Sequence, residues 1–255
     1  MEFRKIQQMS NETIFCLLLV FVFLTTLFAF RLGRRYLFGL IMLEVGLMNI
    51  FVVKQFDLFG LAITGGNILY GGIFLATDIL NEFYGKKIAT RAVWAGFGAG
   101  VFMLVTSALI TVISPNEFDT TQAALQTIFT PTFRIVLASL ISYLVFQSLD
   151  VWLFDLLKKS TGGRFLWLRN NLSTIISQTG DSIFFTAVGL LAIPAFADSK
   201  IFAGFVPAEA FWEVVAFTLI IKIAIAIIDT PILYLAKKVR HEGLGISERL
   251  HRFLE

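Results

Sequence analysis

Apolar residues along this chain do not alternate with polar ones; they run in blocks. Seven stretches, approximately Ile14–Phe30, Tyr36–Val53, Leu61–Ile79, Ala92–Ile113, Ile135–Leu157, Leu172–Ala197 and Phe211–Ala236, come close to or reach the length a helix needs to cross a hydrocarbon core, about 17 to 25 residues. Short connectors separate them. A helix satisfies its own backbone hydrogen bonds, so blocks of this length read as spanning helices. The pattern predicts an all-α integral membrane protein, a polytopic bundle of about seven transmembrane helices.

The connectors alternate in charge, which sets orientation. Arg31, Arg34 and Arg35 follow the first block, Lys86 to Arg91 the third, Lys158 to Arg169 the fifth, and a basic tail begins at Lys237. The connectors around Asp57, between Pro115 and Pro131, and around Asp198 to Glu213 are acidic or poor in Lys and Arg. Basic connectors stay in the cytoplasm. The expected arrangement is a multi-pass protein of the cell inner membrane with its C-terminus cytoplasmic and its N-terminus outside; Arg4 and Lys5 alone dissent. A signal peptide is the weaker reading of the first block, which has no small-residue cleavage site and ends in RLGRR.

Composition agrees. The 255 residues are 57% hydrophobic and 15% charged, with a mean hydropathy of +0.80, whereas soluble domains carry about a quarter charged residues. The net charge of +3 comes from basic residues placed as topology determinants, so nucleic acid is not expected as a partner. The single cysteine, Cys16, excludes an intramolecular disulfide.

Acidic residues recur at one depth. Asp78, Asp150 and Asp229 each stand eight positions before a Lys-Lys pair (Lys86-Lys87, Lys158-Lys159, Lys237-Lys238). At 1.5 Å per residue each lies about 12 Å above the basic boundary, near the middle of a core about 30 Å thick. On the outward-running helices Glu44 follows Arg35, and Gln178 and Asp181 follow Arg169, at similar depths, with Asn49, Asn67, Gln147 and Thr174 near the same layer. A charge at the bilayer centre costs about 2.5 to 3.5 kcal/mol and usually faces a cavity or a partner. Interhelical hydrogen bonding or neutral acids would account for any single member; as a layer they suggest a polar binding site. Helical spacing pairs Asp78 with Glu82, Gln147 with Asp150, Gln178 with Asp181 and Lys222 with Asp229 on shared faces. Lys222, the one base deep in a block, is expected to neutralise Asp229 or Asp181. The first and fourth blocks offer only Thr and Ser at this depth and read as peripheral.

Gly65, Gly66, Gly71 and Gly72 surround Asn67 and Tyr70, which allows either close packing or a broken helix at a site. Pro231 beside Asp229 predicts a kink. Trp94, Trp152, Trp167 and Trp212 lie near block ends, where aromatic belts form, and Trp152 is the one near enough to an acid to stack on a ligand. The chain has no GxxxxGK[ST] loop and no His/Cys cluster, its histidines being His241 and His251 in the tail. This points away from an enzyme, a metal or a cofactor and toward a carrier or binding subunit.

Four segments carry a family resemblance: IFLATDILNEFYGKKIATR (73–91), RIVLASLISYLVFQSLDVWLFDLLKK (134–159), LSTIISQTGDSIFF (172–185) and IIKIAIAIIDTPILYLAKK (220–238). Together they resemble the queuosine precursor transporter family, also called the VUT family, over about Glu44 to Lys238. The family is similar to six-helix substrate-binding subunits of energy-coupling-factor vitamin transporters. The resemblance implies a six-helix transporter core at 36–238, preceded by an additional helix and basic connector at 1–35 and followed by a cytoplasmic tail at 239–255. It implies import of 7-cyano-7-deazaguanine and 7-aminomethyl-7-deazaguanine, with Asp78, Glu82, Asn67, Gln147, Asp150, Gln178, Asp181, Asp229 and Lys222 as substrate-binding candidates. Gly71-Gly72 stands where the family commonly has proline or bulky residues. Alternatives are a carrier for another purine-like or vitamin-like molecule, or a non-transporting membrane assembly subunit. A 7-deazaguanine and the lipid bilayer are the expected partners, with a homodimer or an external energising module left open.

Overall fold

The computed structural model describes residues 10–129, 132–192 and 206–254, with side chains described from 10 to 129, 134 to 192 and 206 to 239. The sixth block beyond residue 192, the connector around Asp198, Arg4, Lys5 and the side chains of His241 and His251 lie outside these ranges.

Helix α1 (Asn11–Leu32) is capped by the Ser10 hydroxyl, which accepts from the Thr13 amide, and ends at Gly33. Helix α2 (Arg34–Phe51) follows. The third predicted block then divides. Its first residues are a strand: β1 (Gln55–Leu58) pairs antiparallel with β2 (Leu61–Thr64) across a tight turn in which Phe59 and Gly60 both have positive φ. Such a two-residue turn closes a hairpin with the twist its strands prefer. Leu58 and Ile63 bury their side chains, so the apolar signal at Leu61–Thr64 comes from a strand seated on the bundle. Helix α3 (Gly66–Tyr84) begins five residues later than expected and runs past Ile79 to Gly85, because its last turns carry a charged residue that finds partners inside the protein.

Helix α4 is Lys86–Val112 and the short helix α5 is Gln122–Phe129. The fifth membrane helix is composite: α6 (Thr132–Ser142), a wider π turn (Tyr143–Gln147) and α7 (Ser148–Ser160). Helix α8 (Leu166–Phe185) ends in a second π turn, Thr186–Leu190, and Leu191 bridges to Val206. Helix α9 (Phe211–Leu254) is 44 residues long and continues through Pro231 without a break. At 1.5 Å per residue it spans about 66 Å, far more than a bilayer core needs.

Four segments are apolar and long enough to cross a membrane on length and composition alone: Asn11–Leu32, Lys86–Val112, Arg134–Ser160 and Ala208–Val239. Helices α2, α3 and α8 fall outside that group, and they carry Glu44, Asp78 and Asp181. Helix α3 is the axis of the bundle, packing against α1, α2, α4, α7 and α9. Close approach explains its glycines. A Cβ on Gly72 would lie 2.5 Å from both Glu44 Oε1 and Val22 Cγ1, and one on Gly71 would lie 2.5 Å from Ile225 Cγ2. Of the two readings of the glycine-rich stretch, tight packing of an unbroken helix is the one seen. Outward faces are apolar, with Phe21, Phe102 and Ile227 exposed as they would be to lipid.

Candidate functional site

Helices α3, α8 and α9 enclose a small cavity of about 10 Å³ bordered by Asn67, Tyr70, Thr174, Gln178, Lys222 and Asp229. An adjoining cavity of about 30 Å³ shares Asn67, Tyr70 and Lys222 and adds Ser139, Asp181 and Phe185. Each holds little more than a water molecule. Asn67, Gln178, Asp181, Lys222 and Asp229, all nominated from sequence, are therefore brought together and buried.

Lys222 on α9 pairs with Asp181 on α8, which settles which acid it neutralises. The other Asp181 oxygen accepts from Tyr70 Oη at 3.0 Å and Ser142 Oγ at 2.6 Å. The Lys222 ammonium also sits 5.1 Å from the centre of the Tyr70 ring, a cation–π distance. Asp181 is thus provided with donors from three other segments. Asp229 accepts from Asn170 Nδ2 at 2.8 Å. Gln178 Oε1 borders the cavity, buried, with no hydrogen-bond partner among the described residues, while the neighbouring Thr174 hydroxyl lies toward the Asp150 carboxylate. Buried polar atoms ordinarily find partners, so the Gln178 carbonyl has acceptor capacity that the described residues leave unused.

Asp78, Gln147 and Asp150 form a second cluster between α3 and the composite fifth helix. All three are fully buried. Gln147 closes the π turn and donates to Thr77 Oγ1 at 2.7 Å; its own Oε1 is unpaired. An inserted turn of this kind re-aims a side chain and is frequent at functional sites. Asp150 accepts from Ser177 at 3.1 Å. Asp78 lies within hydrogen-bonding reach of Asp150, and neither Asp78 oxygen has a donor from another residue type.

Glu82 stands apart from both groups. One helical turn beyond Asp78 toward the basic end, it meets Arg169 Nη2 at 2.7 Å, Lys158 at 3.2 Å and Lys237 at 3.5 Å. Arg169 is fully buried and also donates to the carbonyls of Gly163 and Arg164. This cluster ties α3, α7, α8 and α9 together and closes the bundle at that end.

Several members were missed in the sequence. Tyr70 is the clearest: it sits three residues after Asn67 and four before Phe74, the helical spacing of one face. Ser142, Ser177 and Asn170 left no signal beyond being polar. Trp152 is 46% exposed, so it points away from the cavities, and Tyr70 and Phe74 supply the aromatic wall instead.

The model of a family described as "Putative vitamin uptake transporter" matches residues 64–236, a span that includes both cavities apart from Met48 and Val52, and the buried acid pair. A Bacillus subtilis protein named "Probable queuosine precursor transporter" is 35% identical over 233 residues, covering 91% of this chain and 96% of the relative. The chain belongs to the queuosine precursor transporter family. An Escherichia coli "Queuosine precursor transporter" is 29% identical over 147 residues, 57% of this chain and 63% of that protein. No solved structure matches the chain. As a member of the queuosine precursor transporter family the chain is a membrane transporter, and its buried polar layer, Glu44 and Asn49 apart, lies within the matched segment.

Proposed function

We propose that this transporter carries queuosine precursors, 7-cyano-7-deazaguanine and 7-aminomethyl-7-deazaguanine, inward across the cytoplasmic membrane, with its basic end in the cytoplasm. The observation that carries this reading is the unpaired Gln178 carbonyl at the edge of a cavity that also holds Asn67, Asp229 and Lys222. A guanine-like ring offers an N1 hydrogen and a 2-amino group, two donors suited to a carboxylate such as Asp229. Its exocyclic O6 carbonyl oxygen needs a donor, which Lys222 or the Asn67 amide supplies, and Tyr70 and Phe74 offer faces on which the flat ring lies. Asp78 and Asp150 add acceptors one helix further in.

Cavities of about 10 and 30 Å³ are far smaller than a fused bicyclic base, so the described state is closed. Binding then requires α9 to move from α3 and α8, a change of the order that rocking bundles make around a central site. The test is thermal unfolding of detergent-purified protein with each deazaguanine and with guanine, repeated on Gln178→Ala and Asp229→Asn. Stabilisation by a deazaguanine that disappears in variants folded like the wild type supports the assignment. Absence of any shift at saturating ligand overturns it.

A further inference from the structure

Away from the polar layer, at the basic end, a recess of about 380 Å³ opens between the start of α2 and the start of α4. Arg34, Arg35 and Arg91 line it, with Phe38 and Ile88 as its apolar wall. None of the three guanidinium groups makes a hydrogen bond or ion pair among the described residues, although Glu82 collects three cations on the neighbouring face of the same end. It shares no lining residue with either central cavity.

The two helix starts that border this recess also break the usual rule. Helix N-termini carry partial positive charge and favour acids in the first turn. In this chain α1 follows that preference with Glu12 and a Ser10 cap, and α9 with Glu213, while α3, α5, α6 and α8 have no acid in their first turns; α2 and α4 stand out by putting pairs of cations there. Helices α2 and α4 instead begin at Gly33 and Gly85, have no side-chain cap and no acidic residue in their first turns, and put Arg34, Arg35, Lys86 and Lys87 there. Two uncapped helix ends and three arginines around one hollow concentrate positive charge, and no carboxylate among the described residues pairs with them. An anion arriving from outside the chain resolves this.

We infer that this recess binds the phosphate headgroup of an anionic membrane lipid. Its position favours a lipid over a soluble phosphate. The hollow lies at the basic starts of α2 and α4, where the exposed Tyr36 follows Arg35 and the exposed Tyr84 precedes Gly85, as aromatic residues do at a bilayer boundary, and the Phe38 and Ile88 side chains give a glycerol backbone and first acyl carbons an apolar seat. Arginine pairs with phosphate oxygens in a bidentate manner.

The experiment is calorimetric titration of short-chain phosphatidylglycerol into the delipidated full-length protein in neutral detergent. Phosphatidylcholine of the same chain length and inorganic phosphate are the comparison titrants. Wild type is expected to bind phosphatidylglycerol at one saturable site, and the Arg34→Gln/Arg35→Gln/Arg91→Gln triple variant to lose affinity on the order of a hundredfold. Arg91→Gln alone, which leaves the topology-setting Arg34-Arg35 pair intact, is expected to lose roughly fivefold. Arg164→Gln, an exposed arginine elsewhere at the same end, is expected to bind as the wild type does. Equal binding of phosphatidylcholine, or unchanged binding by the triple variant, overturns the site. Inorganic phosphate binding as tightly as the lipid overturns the lipid in favour of a soluble phosphate.

Discussion

The ammonium of Lys222 and the carboxylate of Asp181 face each other across the α8–α9 contact, buried on both sides, with Tyr70 and Ser142 also donating to the same acid. Removing one partner of such a pair leaves the other charge buried and uncompensated, which costs about 3 to 5 kcal/mol. Lys222→Met is therefore expected to lower the unfolding midpoint sharply. Adding Asp181→Asn to it is expected to restore much of the loss, because Asn keeps an acceptor for Tyr70 without the charge. Thermal unfolding of the two variants in the same detergent decides this; a double variant no more stable than Lys222→Met would refute it.

Asp78 behaves in the opposite way. Among the described residues its oxygens receive no donor from an amide, hydroxyl or cation, and an Asn amide in its place still reaches the Asp150 carboxylate. Asp78→Asn is expected to keep or raise thermal stability while reducing uptake of the deazaguanines by an order of magnitude or more, a loss of about 1.4 kcal/mol in binding. Queuosine in the tRNA of cells that cannot make the precursor is a suitable readout. Loss of stability in proportion to activity would show that Asp78 is structural.

Much of this layer was legible from spacing. Distance from a basic boundary fixes the height of a residue along a helix, so Asp78, Asp150, Gln178, Asp181 and Asp229 could be put at one depth before any packing was known. Direction around the helix axis is not fixed that way. Which acid meets Lys222 depends on how α8 and α9 are rotated and which neighbours they have, so the sequence left Asp181 and Asp229 as equals. Glu82 shows the complementary limit. Its spacing from Asp78 placed it on the same face, but one turn lower it reaches Arg169, Lys158 and Lys237, residues whose positive charge had been read for topology alone. The hairpin was hidden because a short apolar run, Leu61 to Ile63, reads equally as a strand or as the first turn of a helix.

Glu82→Gln is expected to destabilise the protein by about 3 kcal/mol, mainly through Arg169, which is fully buried and loses the one carboxylate it meets among the described residues. Lys237→Ala, which removes a pair whose lysine side chain is 42% exposed, is expected to cost less than about 1 kcal/mol. Denaturation curves of the two variants should separate clearly, and equal effects would show that the three cations share the load.

Gly72→Ala places a methyl group 2.5 Å from Val22 Cγ1 and Glu44 Oε1, between three helices at once. Overpacking at such a point costs about 1 to 3 kcal/mol. Gly98→Ala, with open space around the added carbon, is the matched comparison and is expected to be neutral or slightly stabilising. Expression in the membrane and unfolding midpoint should both rank the two in that order.

The hairpin between α2 and α3 reaches back to the first helix. Asn11 Nδ2 donates to the Asp57 carbonyl at 2.9 Å, and the Phe59 amide donates to Glu12 Oε1 at 3.2 Å, while at the far end the Phe30 ring stacks 4.9 Å from Phe83. Helix α1 is thereby fastened at both ends, and between them Val22 closes the flank of α3 at Gly72. A protein trimmed to the residues after Gly33 would present that flank, with Glu44 beside it, directly to lipid. Shortening this transporter for crystallography or engineering should therefore stop before Ser10.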